Sequence, residues 1–109
     1  MNFTEYQNEA KATALYPDPG NIHGLSYCAL GLTGEAGEFA NKVKKIIRGD
    51  STISGSSNDL INELGDVLWY VSECARNLNM SLELIATQNI AKLQSRQQRA
   101  VVKGSGDSR

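Results

Sequence analysis

Apolar residues recur at helical spacing in successive stretches of the chain, separated by clusters of turn-forming residues. The clearest stretch holds Leu60, Leu64, Val67, Leu68, Val71, Cys74, Ala75 and Leu78. At about 100° per residue these form one broad apolar stripe. An earlier stretch does the same with Leu25, Cys28, Leu32, Phe39, Val43 and Ile46, and a later one with Leu82, Ile85, Ala86 and Leu93. No segment alternates apolar and polar residues, so no strand is predicted. The breaks are Pro17-Asp18-Pro19-Gly20, the Gly- and Ser-rich run from Gly49 to Asn58, and Asn79 to Ser81. They leave helices at about residues 4–15, 22–47, 58–78 and 82–99. Thr4 and Gln7 stand at capping-box spacing, and Ser81 is the expected N-cap of the last helix. The remaining residues, Ala100 to Arg109, read as an irregular tail.

The pattern predicts one all-α, four-helix-bundle-like domain over residues 1–109. It also predicts more apolar surface than one core can absorb. Leu30, Ala36 and Ala40 lie on a second side of the second helix, and Trp69 lies off the main stripe of the third. A lone bundle of this size would leave them in water. The expectation is a homodimer or tetramer in which helices of two subunits complete the bundle, with Trp69 at the subunit interface.

Composition narrows the function classes. The formal net charge of −1 gives no broad attraction to nucleic acid or to an acidic membrane, and neither partner is expected. The chain opens without a basic region followed by an apolar run, and no apolar stretch approaches the ~20 residues that span a bilayer. A cytoplasmic location is expected. Cys28 and Cys74 fall on apolar faces and read as reduced core thiols, with a disulfide as the minor alternative. His23 is the single histidine and reads as structural or surface, so no Cys/His metal site is available.

The acids carry the chemistry. Glu35 and Glu38 share one helical face, as do Glu63 and Asp66, and Tyr70 follows one turn beyond Asp66. Both pairs border the apolar stripes rather than pointing away from them. Two such helices packed antiparallel bring four carboxylates together at the edge of a core, where mutual repulsion and desolvation penalise their charge. A divalent cation relieves that penalty, and oxygen ligands without His or Cys favour Mg²⁺ or Mn²⁺. Gly31, one turn before Glu35, leaves room for a ligand or a facing helix. A ferritin-like dimetal centre would need Glu-x-x-His pairs, which neither helix has.

The segment Leu30-Gly31-Leu32-Thr33-Gly34-Glu35-Ala36-Gly37-Glu38, followed by Asn62-Glu63-Leu64-Gly65-Asp66-Val67-Leu68-Trp69-Tyr70, resembles the MazG-type members of the all-α nucleoside triphosphate pyrophosphatase superfamily. Glu5-Tyr6-Gln7 is similar to the first helix of that family, and Gln88-Asn89-Ile90-Ala91-Lys92-Leu93 to its closing helix. Ser95-Arg96, Arg99 and Gly104-Ser105-Gly106-Asp107 resemble the tail of short phage or mobile-element members. Ala100 departs from that pattern, standing where a glycine is expected. The resemblance implies Mg²⁺-dependent hydrolysis of a (deoxy)nucleoside triphosphate to the monophosphate and pyrophosphate, as nucleotide-pool house-cleaning. Glu35, Glu38, Glu63 and Asp66 are then the metal-binding and catalytic residues, one of them orienting or deprotonating the attacking water.

The fourth helix adds polar groups inside its apolar arc: Asn89 and Arg96, with Lys92 at the border. Inward polar groups need partners. The functional reading gives Lys92 and Arg96 to phosphates and Asn89 to sugar or phosphate; the plain one is a snorkelling Lys and an interface Asn. Lys45 is a further candidate phosphate contact, although a basic helix C-terminus is also what the helix dipole favours. Tyr70 reads as packing on the sugar or closing the site, with an ordinary core tyrosine as the plain alternative. The glycines of the tail can turn backbone N–H groups toward an anion, so the tail is expected to order over the triphosphate or against a neighbouring subunit. The competing readings are a non-catalytic helical dimerisation module and a phosphohydrolase acting on another nucleotide-like substrate.

Overall fold

The computed structural model describes residues 1–100 and 103–109. Four helices follow in order: α1 (Phe3–Ala12), α2 (Ile22–Arg48), α3 (Ser57–Asn77) and α4 (Leu82–Gln98). No strand occurs among the described residues. α2 and α3 form the main hairpin, α1 packs on α3 and α4, and α4 also meets α3, while α2 and α4 make no contact.

The helix ends follow from local side chains. Asn2 caps α1, where Thr4 was expected to do so: its side-chain oxygen accepts from the Glu5 N–H at 2.8 Å and its amide donates to the Glu5 carboxylate at 2.9 Å. Gln7 is therefore free for a longer reach. Its amide donates to Met80 O and its oxygen accepts from Leu82 N–H, both at 3.1 Å, which ties α1 to the start of α4. α1 stops at Ala12, short of the expected end near residue 15, because the Thr13 N–H and hydroxyl both turn back to Ala10 O. Asn21 caps α2 through the His23 and Gly24 N–H groups, and Gly49 closes its C-terminus at φ +94°, a conformation glycine adopts without penalty. Ser81 caps α4 as expected, accepting from Leu84 N–H at 3.0 Å.

The α2–α3 seam is polar and small rather than apolar. Along α3 it runs through Glu63, Asp66, Tyr70, Glu73 and Asn77, spaced three and four apart as a helix–helix seam requires. α2 answers in antiparallel register. Gly24 lies against Asn77, the Asn77 amide reaches Cys28 Sγ at 3.5 Å, Gly31 lies against Tyr70, Glu35 meets Glu63 and Asp66, and Lys42 pairs with Glu63. The lower half of the seam is closed. Glu73 is fully buried, and its carboxylate accepts from Arg76 at 2.7 Å and from the Tyr16 hydroxyl at 2.7 Å. Asn77 donates to the Tyr16 oxygen at 2.8 Å and accepts from Gly20 N–H at 2.7 Å. The Pro17–Gly20 turn is thereby fastened to the end of α3.

The apolar stripes have little to bury against. Among the described residues, the buried hydrophobic ones are Ala10, Cys28, Ala75 and Leu82, whereas Leu30 is 74% exposed and Leu64 51%. The chain exposes 7583 Å², against about 5,900 Å² for a compact monomer of this size. Its radius of gyration is 16.6 Å, against about 13 Å. Both cysteines are free thiols, Cys28 buried and Cys74 half-buried. No described helix is long and apolar enough to cross a membrane.

Candidate metal centre

Above the closed half, the seam opens into a cleft of about 300 Å³ lined by Thr13, Glu35, Asp66, Trp69 and Tyr70. Its floor is acidic. Glu35 from α2 and Glu63 and Asp66 from α3 each bring a carboxylate oxygen within 4.8 Å of the others. Their helical spacing and the antiparallel register put them there, although four carboxylates were expected and Glu38 is not among the three that meet. Burial pushes the Glu35 carboxyl above its ordinary range, and a hydrogen bond shared with Glu63 and the charges of Asp66, Glu63 and Glu38 push it further. Lys42, 3.5 Å from Glu63, pairs with the cluster.

The donor set suits a hard cation. Every ligand atom is a carboxylate oxygen, no His or Cys belongs to the group, and three anions at this separation repel one another unless a proton or a cation intervenes. Glu38 lies outside the group, exposed one turn beyond Glu35 at the mouth of the seam.

Tyr70 is held in the cleft wall. A side-chain carbon on Gly31 would overlap its ring, so the ring packs across α2 where Gly31 has none. Trp69 belongs to the same wall and not to a detached outer face: its indole N–H donates to Thr13 Oγ1 at 2.8 Å, and its ring meets Tyr16 and Tyr70 edge-on. Sequence reading assigned Trp69 to a subunit interface because it lies off the main stripe. The turn after α1, which brings Thr13 and Tyr16 over it, carries no periodicity to reveal that contact. Thr13 and Lys42 were likewise missed, as was Glu73, whose place in the three-four spacing with Glu63, Asp66 and Tyr70 was the available signal.

The α4 candidates do not reach this cleft within one chain. Asn89 and Lys92 line a separate cleft of about 290 Å³ with Ile85 and Gln88. Arg96 is buried against the C-terminal segment, where its guanidinium donates to Asp107 O at 2.9 Å. Lys45 is exposed beyond the acids, near Lys42, Asp50 and Asp59.

The Gene 37 protein of Mycobacterium phage L5 is 49% identical over 114 aligned positions that cover the whole of both chains. No solved structure matches. The MazG nucleotide pyrophosphohydrolase domain matches residues 25–101, a span that holds both acid pairs, Tyr70, Asn89, Lys92 and Arg96. With that match over most of its length, a strand-free helical fold and a carboxylate cluster on the paired helices, the chain belongs to the MazG nucleotide pyrophosphohydrolase family.

Proposed function

We propose that the chain hydrolyses (deoxy)nucleoside triphosphates to the monophosphate and pyrophosphate, using Mg²⁺, or Mn²⁺ in its place, held by Glu35, Glu38, Glu63 and Asp66. The observation that carries this reading is the group of three carboxylates within 4.8 Å, two of which, Glu35 and Asp66, line a cleft that is otherwise aromatic and hydroxylic. When bound, the ion supplies charge neutralisation at the phosphates and acidification of water. One of the four takes the proton from the attacking water instead of holding the ion, and we assign that role to Glu38, exposed beside the cluster. Tyr70, fixed over Gly31, supports the sugar, and Trp69, fixed by Thr13, bounds the cleft beyond it.

Asn89, Lys92 and Arg96 contact phosphate or sugar in this reading, and Lys45 guides the charged tail of the substrate from the far end. The α4 groups lie outside the acid cleft of their own chain, which supports an assembly in which α4 of a second copy approaches it. The surplus exposed area and the uncovered Leu30, Leu64 and Ile61 support at least a homodimer. The biological purpose that fits is removal of unwanted nucleotides from the pool.

A panel of the eight standard triphosphates with Mg²⁺, with products resolved chromatographically, tests the reading. Pyrophosphate and a monophosphate are expected from at least one. Orthophosphate as the product would place the reaction at another bond, and no turnover of any would defeat the proposal. Light scattering tests the assembly, and a stable monomer at working concentration would contradict it.

A further inference from the structure

The C-terminal segment turns back onto α4 and sets one acidic side chain on two cations. Lys92 and Arg96, one turn apart on α4, both reach the same oxygen of Asp107: Lys92 Nζ at 3.1 Å and Arg96 Nη2 at 3.2 Å. The segment is also held by contacts that do not use this carboxylate. Arg96 donates to Asp107 O at 2.9 Å and to Gly106 O at 3.4 Å, Arg99 donates to Arg109 O at 2.8 Å, and Arg109 donates to Gly106 O at 2.5 Å.

We propose that Lys92 and Arg96 form an anion site that the chain's own Asp107 fills in the free protein. A phosphate group of the substrate or of pyrophosphate takes it over, so that the C-terminal segment competes with the ligand. This rests on the assignment of Lys92 and Arg96 to phosphate made above and adds its regulation.

Several features make the site exchangeable rather than merely structural. Arg96 is 4% exposed, and its Nε is buried with no hydrogen-bond partner among the described residues, so the guanidinium retains a donor that its present partners leave unused. The Asp107 side chain is 85% exposed and leaves without unpacking anything. The Lys92–Asp107 pair is exposed on both sides, and such ion pairs contribute little to stability and exchange readily. The cleft formed by Ile85, Gln88, Asn89 and Lys92 adjoins the pair and gives a larger anion room beside Lys92. Lys92 and then Arg96 hold the Asp107 carboxyl below its ordinary range, the response of a carboxylate in a field suited to a stronger anion. Phosphate matches that field better, with more charge and more acceptor oxygens.

The test is calorimetric titration of inorganic pyrophosphate and of tripolyphosphate into the full chain at low salt, with chelator present so that the acid cluster plays no part. Asp107→Asn retains the backbone contacts of the segment and removes the competing charge. It is expected to tighten binding of at least one polyanion by about threefold or more, the scale of an exposed ion pair. A gain with pyrophosphate alone identifies product as the competing ligand, and a gain with tripolyphosphate alone identifies substrate. Lys92→Gln should weaken binding and abolish the gain when combined with Asp107→Asn. No gain in Asp107→Asn or in Asp107→Ala, with circular dichroism unchanged, overturns the proposal. So does a gain that survives Lys92→Gln. Failure of the hydrolase reading would appear separately, as absence of pyrophosphate release by the unmodified chain with Mg²⁺.

Discussion

The ring of Tyr70 occupies the space that a side chain at Gly31 would fill. Two helices are thereby brought close one turn away from the acids, and an aromatic wall is fixed beside the carboxylates. Gly31→Ala sets two effects against each other. Alanine favours the helix by about 1 kcal/mol, while overpacking costs about 1–3 kcal/mol. The expected result is a less stable protein with kcat/KM reduced at least about tenfold, as a displaced positioning group produces. Thermal melts and initial rates check this, and a variant more stable than the parent would show that Tyr70 yields freely.

The acid cluster makes a signed prediction about pH. The Glu35 carboxyl is raised above its ordinary 4.5, so the folded chain holds that proton more tightly than the unfolded chain. Without divalent cations, this group's contribution to stability falls as pH rises from about 4.5 through its raised folded value, and stays low above it. Glu35→Gln lacks that loss. The variant should melt higher than the parent at pH 8 without metal, and the gap should close toward pH 4. An equal gap at both pH values would count against the repulsion.

Glu38→Gln should lower Mg²⁺-dependent turnover by about 100-fold or more, since even outer partners of a metal site are worth about 10–100-fold. The fold should remain intact by circular dichroism, because Glu38 is exposed. Full activity would remove Glu38 from the site. Calcium should bind the protein but support little turnover, because its looser coordination tolerates poor in-line geometry.

Arg76→Ala leaves the Glu73 carboxylate buried with the Tyr16 hydroxyl as its remaining side-chain partner. Removing one partner of a buried pair costs about 3–5 kcal/mol. Arg76 is 25% exposed, which favours the lower end, about 3 kcal/mol. Glu73→Gln, which keeps hydrogen-bonding atoms in place and removes the charge, should cost less. Urea denaturation of both variants decides the order, and the reverse order would mean that the buried carboxylate is tolerated without Arg76.

Ala100 adopts φ +58° directly after α4, where the family resemblance led to an expected glycine. Left-handed backbone costs an alanine about 1 kcal/mol, and the greater freedom of glycine in the unfolded chain returns part of that. Ala100→Gly should therefore stabilise the protein by somewhat under about 1 kcal/mol. Slower proteolysis of the C-terminal segment would accompany it, and a loss of stability would contradict the strain.

The four helices were legible because each combines a long apolar period with a clear break, and the two acid pairs because a spacing of three fixes a shared face whatever the tertiary contacts. What the pattern could not supply was the identity of the surface covering each face. The stripe through Leu64 and Leu78 reads as core, yet within one chain both residues are more than half exposed. Glu73 drew no reading from its helix pattern, and its burial depends on Tyr16 arriving from beyond two prolines. Asp107 meets Lys92 and Arg96 only because the chain reverses after α4, and side-chain periodicity carries no record of that reversal.

The α2–α3 hairpin is fastened on both sides of the acids. The 49–56 loop joins the helices beyond Lys42 and Glu63, and Glu73, Arg76, Tyr16 and Asn77 lock them at the other end. Glu35, Glu63 and Asp66 therefore cannot relieve their repulsion by letting the helices splay apart. In the proposed function, the repulsion the fold imposes on them would return as affinity when a cation displaces the proton that Glu35 holds. In the same reading the polar lock, although it touches no ligand, would set part of the strength with which the acids hold a cation. Loosening it should weaken cation binding without altering a single ligand atom.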